Sequence, residues 1–428
     1  MKRKITKSKT VCVIGLGYVG LPVLAICTDK GYKAFGYEID RKKVAMINKG
    51  KSPIKDDFLD RVFHKTKLKA TADSRLIKKA DIIVVCVPTP VDEKFYPDLK
   101  PLIGACETIC QNLKKGALVI IESTVNPGVC EEIVAPIFKK HGFEVGRDVL
   151  IAHCPERIDP GNKKWTILNL PRVVGAFDKK GLRMAIDFYK SIINAEVVPM
   201  KSVREAEAVK IMENSFRDIN IAFVNELAKS FDRMGIDITD VIRGASTKFS
   251  FMPHYPSCGV GGHCIPVDPY YLIERARLNN FNHQLLKIAR KINNSMPNYT
   301  VNLLQKGLNK VKKSIKDAKI GVLGLAYKAN IDDTRESPAF KIINLIKKKG
   351  GRVITFDPYV LEKSNVKNLK TLLNKSEAVI LCADHREFRK MSAEELKKSK
   401  VEVVIDGKNC LDGEKIKRAG IIYKGIGR

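Results

Sequence analysis

Cys264 follows the glycines Gly259, Gly261 and Gly262 and precedes a carboxylate, Asp268. Glycine adopts positive φ and lets a ligand approach the backbone closely, so a thiol held after such a loop is placed to attack a bound molecule. Asp268 alone works against that role, because a nearby negative charge raises a thiol's pKa; a cation must offset it. Lys210 and Asn214 have i,i+4 spacing, which puts an ammonium and an amide on one face of a helix, a donor pair suited to a developing oxyanion. Glu156, in Cys154-Pro155-Glu156-Arg157 after the apolar Val149–Ala152, stands where a general base could sit. Each has a plainer reading: a buried structural cysteine, a solvated Lys with a surface Asn, an exposed loop Glu. A zinc site of Cys258, His263 and Cys264 is a further alternative. It lacks a fourth ligand, and adjacent side chains point apart in an extended chain, so no metal is expected.

The second chemical signal is Gly15-Leu16-Gly17-Tyr18-Val19-Gly20, which follows an apolar run and opens a helical stretch, with Glu38 ending the next strand-like run. The glycines permit a tight turn, close approach of a pyrophosphate and helix–strand packing. Glu38 suits the ribose hydroxyls of NAD and would repel a 2′-phosphate, although Arg41 and Lys42 close by leave room for NADP. A dinucleotide turn together with a nucleophilic thiol implies hydride chemistry with a covalent step. Once a thiolate has added to an aldehyde, a second hydride can leave. Tyr327-Lys328 and Asp333-Thr334-Arg335-Glu336-Ser337-Pro338 form a third cluster. Its cations suit a diphosphate, and Ser337-Pro338 suit a helix start as N-cap and N1.

These groups need a frame. Thr10–Ile14, Ala34–Tyr37, Ile82–Val87 and Val119–Ile121 read as strands between helical stretches, ending in Gly15, Glu38, Pro88-Thr89-Pro90 and Glu122-Ser123-Thr124. Lys319–Leu323, the run ending in Asp357 and Ala378–Cys382 repeat that grammar without the three-glycine fingerprint. Between the halves, Val203–Gly235 carries apolar residues at helical intervals. The expected fold is α/β: two Rossmann-like, doubly wound domains joined by a central long-helix domain. The boundaries are drawn at 1–200 for NAD binding, 201–300 for the helical part with the cysteine loop, and 301–428 for the second Rossmann-like part. The long helix also offers a face for a homodimer or higher homo-oligomer.

The chain has 428 residues, 44% hydrophobic and 29% charged, and Lys+Arg 77 against Asp+Glu 47 give +30. The positive residues are spread along the chain with no nucleic-acid motif beside them, so no nucleic-acid partner is expected. The 11 cysteines have no regular spacing. With no secretory signal and no apolar run of spanning length, a reducing cytoplasm and no membrane partner are expected.

Taken together, Gly15–Gly20, Pro88-Thr89-Pro90, Ser123-Thr124, Pro155-Glu156, Lys210-x-x-x-Asn214, Gly261-Gly262-His263-Cys264 with Asp268, and Gly324-Leu325-Ala326-Tyr327-Lys328 resemble the UDP-glucose/GDP-mannose dehydrogenase family over nearly the whole chain. The resemblance implies oxidation of the C6 hydroxyl of a nucleotide sugar to a carboxylate with two NAD. It implies a thiohemiacetal and then a thioester on Cys264, oxyanion donors in Lys210 and Asn214, water-orienting partners in Asp268 and Thr124, and Glu156 as the base for thioester hydrolysis. Cofactor contacts would come from Gly15, Gly17, Tyr18, Val19, Gly20, Glu38, Arg41, Pro88, Thr89 and Thr124. UDP-sugar contacts would come from Glu156, Arg157, Lys210, Asn214, Lys248, Phe249, Phe251, Tyr255, Gly261, Lys328, Arg335 and Lys408.

Within the family, Thr247–Pro253 and Pro155–Asn162 look most like the branch acting on UDP-N-acetylglucosamine, then the one acting on UDP-N-acetylmannosamine. The UDP-glucose branch carries a second acidic residue where Pro160 stands. Two departures matter. The usual Pro-Gly-Pro-Gly is here Pro256-Ser257-Cys258-Gly259, and a family arginine is here Lys408, which lacks the bidentate fork. Cys258 raises a reversible disulfide with Cys264.

Overall fold

A computed structural model describes residues 9–54, 57–92, 96–158 and 164–428. The basic leader at residues 1–8 and the stretch Asp159-Pro160-Gly161-Asn162 lie outside these described residues, and so do the expectations attached to them.

Thirteen strands form two sheets among the described residues. The first comprises β1 (Thr10–Ile14), β2 (Lys33–Tyr37), β3 (Ala70–Thr71), β4 (Ile82–Val85), β5 (Ala117–Ile121), β6 (Val149–His153), β7 (Arg172–Ala176) and β8 (Val197–Pro199). Their spatial order is β3-β2-β1-β4-β5-β6-β7-β8, parallel except where β7 runs against β6. The second comprises β9 (Lys319–Leu323), β10 (Arg352–Phe356), β11 (Ala378–Leu381), β12 (Val403–Asp406) and β13 (Ile422–Gly425), in the order β10-β9-β11-β12-β13 and parallel throughout. The fold is therefore α/β, with two Rossmann-like parallel sheets and a central helical region, as the sequence led us to expect. β4 ends at Val85 rather than Val87, although Cys86 N still donates to Ile14 O.

Every residue of β4, β5 and β6 is buried, the pattern of parallel strands covered on both faces. Val11 and Val13 face a core with Leu21, Leu24 and Phe188, while Cys12 and Ile14 face another with Leu102, Ile109 and Phe138. Each fully buried large aliphatic contributes roughly 2 kcal/mol, against about 0–1 kcal/mol for an exposed ion pair. The frame therefore rests on these layers rather than on the many surface lysines.

Contact density divides the chain into two compact units: residues up to Glu213 with Tyr270–Asn279, and Asn214–Pro269 with Asn280–Arg428. In the second, the central helices share a core with the C-terminal sheet. Ala228, Ile238, Met296 and Leu304 pack with Ile320, Val322, Ile380 and Val403. The long helix runs Val203–Met234, so Lys210 and Asn214 lie one turn apart on it. Among the described residues no helix is long and apolar enough to cross a membrane.

Candidate active site

The dinucleotide turn leaves the C-terminal end of β1. Gly15 has φ +85°, and a Cβ there would lie 3.0 Å from the Cys86 carbonyl oxygen. A Cβ on Gly20 would fall 1.9 Å from the Gly15 carbonyl oxygen, whereas one on Gly17 would meet nothing within 4 Å. The helix Gly20–Asp29 starts with no side-chain cap, so the positive end of its dipole remains open to an anion. Glu38 is nearly buried; its Oε2 accepts from Leu16 N at 2.9 Å and its Oε1 from Asp40 N at 3.1 Å. Open space at Gly17, an uncapped helix start and a carboxylate at the end of β2 fit NAD. Beside this turn the Thr89 hydroxyl donates to Thr124 O at 2.7 Å, Ser123 Oγ donates to Val87 O at 2.7 Å, and the Tyr271 hydroxyl donates to Thr89 O. Val19 and Thr124 are half-buried, and Tyr18, Arg41 and Pro88 are exposed.

Glu156 is buried just beyond β6. Its Oε1 accepts from Arg157 N and Ile158 N, each at 2.7 Å, and its Oε2 lies 2.7 Å from Arg172 Nη1. Arg157 donates to Glu213 Oε2 at 3.0 Å and to Pro171 O at 2.9 Å. Burial pushes the neighbouring Glu122 carboxyl up to about 7, with the Glu156 charge adding to the rise and Arg172 opposing it. His153, at the end of β6, is fully buried; burial and then the charge of Lys210 push it down to about 3, which keeps the ring neutral. Lys210 itself is nearly buried.

The cysteine loop is pinned at several points within the second unit. Ser257 N donates to Asn225 Oδ1 at 2.9 Å, Cys258 N to Gly407 O at 3.0 Å, and Gly262 N to Arg335 O at 3.0 Å. Gly262 has φ +91° and a Cβ there would sit 2.8 Å from the Tyr327 ring, so only glycine fits. On Gly261 a Cβ would lie 2.7 Å from Tyr327 Cβ. Past the half-buried Cys264 the chain turns into the helix Asp268–Leu278, with Asp268 N donating to Cys264 O at 2.8 Å. The Asp268 side chain accepts from Asn214 Nδ2 at 2.5 Å. The carboxylate thus has an amide partner on the long helix, one turn from Lys210. The Cys258 thiol is buried and donates to Cys382 O at 3.7 Å.

Lys328 and Lys408 are half-buried and Arg335 is exposed, its guanidinium on Asp333 at 2.6 Å. Ser337 caps the helix Pro338–Lys348 through Ala339 N, so the helix-start reading of Ser337-Pro338 holds. Lys248, Phe249 and Tyr255 are exposed, Phe249 at 99%, and Phe251 is half-buried. No group of residues suited to hold a metal occurs among the described residues.

The residue types and spacings do not single out Glu122, Arg172, His153 and Asn225. A lone Arg opening an apolar strand (Arg172-Val173-Val174-Gly175) was the available signal, since a buried guanidinium needs anionic partners.

Three family models match in succession: the NAD binding domain of the UDP-glucose/GDP-mannose dehydrogenase family over residues 9–193, its central domain over 204–295 and its UDP binding domain over 321–413. The chain is similar to a UDP-N-acetyl-D-mannosamine dehydrogenase of Pyrococcus horikoshii, 36% identical over 98% of this chain and 99% of that one. It is also similar to a UDP-N-acetyl-D-glucosamine 6-dehydrogenase of Pseudomonas aeruginosa, 35% identical over 96% and 99%. A solved structure of the Pyrococcus horikoshii UDP-D-ManNAc dehydrogenase superposes with a TM-score of 0.92, covering 98% of this chain and 99% of that one at 36% identity.

Proposed function

The chain belongs to the UDP-glucose/GDP-mannose dehydrogenase family, NAD-dependent UDP-sugar dehydrogenases, and from that premise we propose that it oxidises the C6 hydroxyl of a UDP-N-acetylhexosamine to the carboxylate. Its cofactor, NAD, would be held at the Gly15–Gly20 turn beside Glu38 and would supply the hydride acceptor for two successive oxidations at C6. The alcohol first loses a hydride and a proton to give the aldehyde. The Cys264 thiolate adds to that aldehyde, and loss of the second hydride leaves a thioester. Water then attacks the thioester carbonyl, Glu156 takes the proton from the water, and Cys264 leaves as the thiolate. Lys210 and Asn214 stabilise the oxyanion at C6 in both tetrahedral states, and Asp268 with Thr124 orients the water. Lys210 also offsets the negative charge of Asp268 near the thiol.

The observation that carries this reading is the turn in which Asp268 N–H meets the Cys264 carbonyl while the Asp268 carboxylate holds Asn214. A carboxylate tied to an amide serves orientation rather than thiol activation. Residues 1–200 would bind NAD with Gly15, Gly17, Tyr18, Val19, Gly20, Glu38, Arg41, Pro88 and Thr89. Residues 201–300 would carry the catalytic loop, and 301–428 would bind the UDP portion with Lys328, Arg335 and Lys408. Arg157, Lys248, Phe249, Phe251, Tyr255 and Gly261 would contact the sugar. Met212, Phe216 and Phe223, exposed along the long helix, support a homodimer, and the activity would be cytoplasmic.

Two sugars are supported. The Thr247–Pro253 stretch favours UDP-N-acetylglucosamine, and the Pyrococcus horikoshii relative favours its C2 epimer, UDP-N-acetylmannosamine. Purified protein with NAD should release two NADH per molecule of one of these sugars and turn over UDP-glucose poorly. Preference for UDP-glucose would overturn the choice of sugar, and one NADH with aldehyde product would overturn the four-electron reaction.

A further inference from the structure

Behind Glu156 lies a set of ionisable groups that the reaction above does not use. Arg172 opens β7, Glu122 follows β5, and Tyr189 projects from the helix Lys179–Ile192; all three are at most 1% exposed. Arg172 Nη1 lies 2.7 Å from Glu156 Oε2 and 3.9 Å from Glu122 Oε1. The Tyr189 hydroxyl donates to Glu122 Oε1 at 2.5 Å, the Cys86 thiol lies 3.7 Å from Glu122 Oε2, and the guanidinium stands over the Tyr189 ring at 5.6 Å. Cys27 and Cys154 complete the ionisable groups that feel Glu122. One guanidinium therefore serves two buried carboxylates.

A buried ion pair persists only if its charges balance, since each unpaired charge costs several kcal/mol to desolvate. With Glu122 protonated, Arg172 and Glu156 balance. With Glu122 ionised, the set carries one surplus negative charge, and the cation is drawn toward both. Arg172 Nε and Nη1 and Glu156 Oε2 make no well-aligned hydrogen bond to protein among the described residues, so the pair is held by charge and packing and can be redirected.

We propose that Arg172 and Glu122 are positioning residues for Glu156: Arg172 fixes the carboxylate in place, and ionisation of Glu122 draws the guanidinium away from it and releases it to deprotonate the hydrolytic water. The proposal rests on Glu156 being the base for thioester hydrolysis. Glu122 has the titration range required, since burial raises it to about 7. Its proton goes to solvent as the pH rises, so acid formation accelerates through neutrality.

The test is the pH profile of acid formation from the UDP-sugar aldehyde and NAD, measured for the wild type, Glu122→Gln and Tyr189→Phe. The wild type should show an inflection near neutral pH. Glu122→Gln should abolish it and lose about tenfold in rate on the alkaline side, with KM for the UDP-sugar unchanged. Tyr189→Phe removes the hydroxyl that favours the ionised form of Glu122, so its inflection should move to higher pH. That shift decides the matter if Glu122→Gln does not fold. A wild-type inflection retained in both variants overturns the proposal. Glu156→Gln separates the two claims: if acid formation stays at the wild-type rate in that variant, the base assignment itself is wrong. If it is lost while Glu122→Gln and Tyr189→Phe keep the wild-type profile, only the positioning claim falls.

Discussion

In the N-terminal sheet Gly15 leaves β1 against the carbonyl of Cys86, Gly15 N donates to Tyr37 O, and Glu38 accepts from Leu16 N. In the C-terminal sheet Gly324 leaves β9 with its Cβ direction 2.6 Å from Ala383, Gly324 N donates to Phe356 O, and Asp357 accepts from Leu325 N. The two regions repeat one device at the strand pair where connection direction reverses, the point at which open α/β sheets bind ligands. Beyond the turn the two chains diverge. After Gly15 the helix begins at Gly20 and is uncapped. After Gly324 the next helix waits until Pro338 and is capped by Ser337. Glu38 keeps a little exposure, whereas Asp357 is sealed: its Oδ2 accepts from Leu325 N, Ala326 N and His385 Nε2, and its Oδ1 from Tyr359 N. His385 Nδ1 accepts from Asn330 N, which fixes the Nε2–H tautomer, and Tyr359 stacks on the ring at 4.9 Å. The same position is the proposed NAD-ribose contact in one sheet and a structural clamp in the other. On the proposed reading, the C-terminal region would therefore hold the UDP diphosphate with cations such as Lys328 rather than with a helix start.

That contrast can be broken from either side. The largest effect is expected for Gly20→Val, whose side chain has no room beside the Gly15 carbonyl. NAD affinity should fall at least about 100-fold, roughly 3 kcal/mol, while calorimetry with UDP shows an unchanged constant. Loss of UDP binding as well would mean the turn supports the whole fold. Asp357→Ala leaves two buried N–H groups and an imidazole without their acceptor, and should lower stability by about 2–4 kcal/mol in thermal melts. An unchanged melting temperature would refute the clamp. Although burial alone would raise the Asp357 carboxyl, His385 and the backbone donors hold it below its ordinary 3.8. Its stabilisation is thus complete above that value and lost as the pH falls below it. Glu38→Ala should cost NAD about 1–2 kcal/mol and, because it leaves only the buried Leu16 N–H without its acceptor, lower the melting temperature less than Asp357→Ala does; an equal drop would make Glu38 a clamp like Asp357. The smallest effect is expected for Lys408→Arg, which restores a planar fork and should tighten UDP by about 0.5 kcal/mol.

Sequence and structure agree where the information is local. The strand ends at Ile14 and Leu323, the glycine turns, the long helix and the Ser337 cap all follow from apolar runs and neighbouring residues. They part where partners come from distant strands. Glu38 and Asp357 both end an apolar run, and nothing nearby tells a ligand carboxylate from a clamped one; His385, on a different element, makes the difference. Arg172 reads as a polar strand start because Glu122 and Glu156 reach it only through the strand order β5-β6-β7. The partner of the Cys258 thiol is likewise distant in sequence: it meets the carbonyl of Cys382, which follows β11.

The central claim is that Cys264 carries the acyl group. Glu156→Gln, by slowing hydrolysis, should accumulate that species during turnover with NAD and a UDP-N-acetylhexosamine. Intact-mass and peptide analysis of the quenched protein should find the UDP-sugar acyl group on the Cys264 peptide, and none when Cys264→Ala is added. An unmodified Cys264 while the acid and two NADH are still being formed would contradict the account.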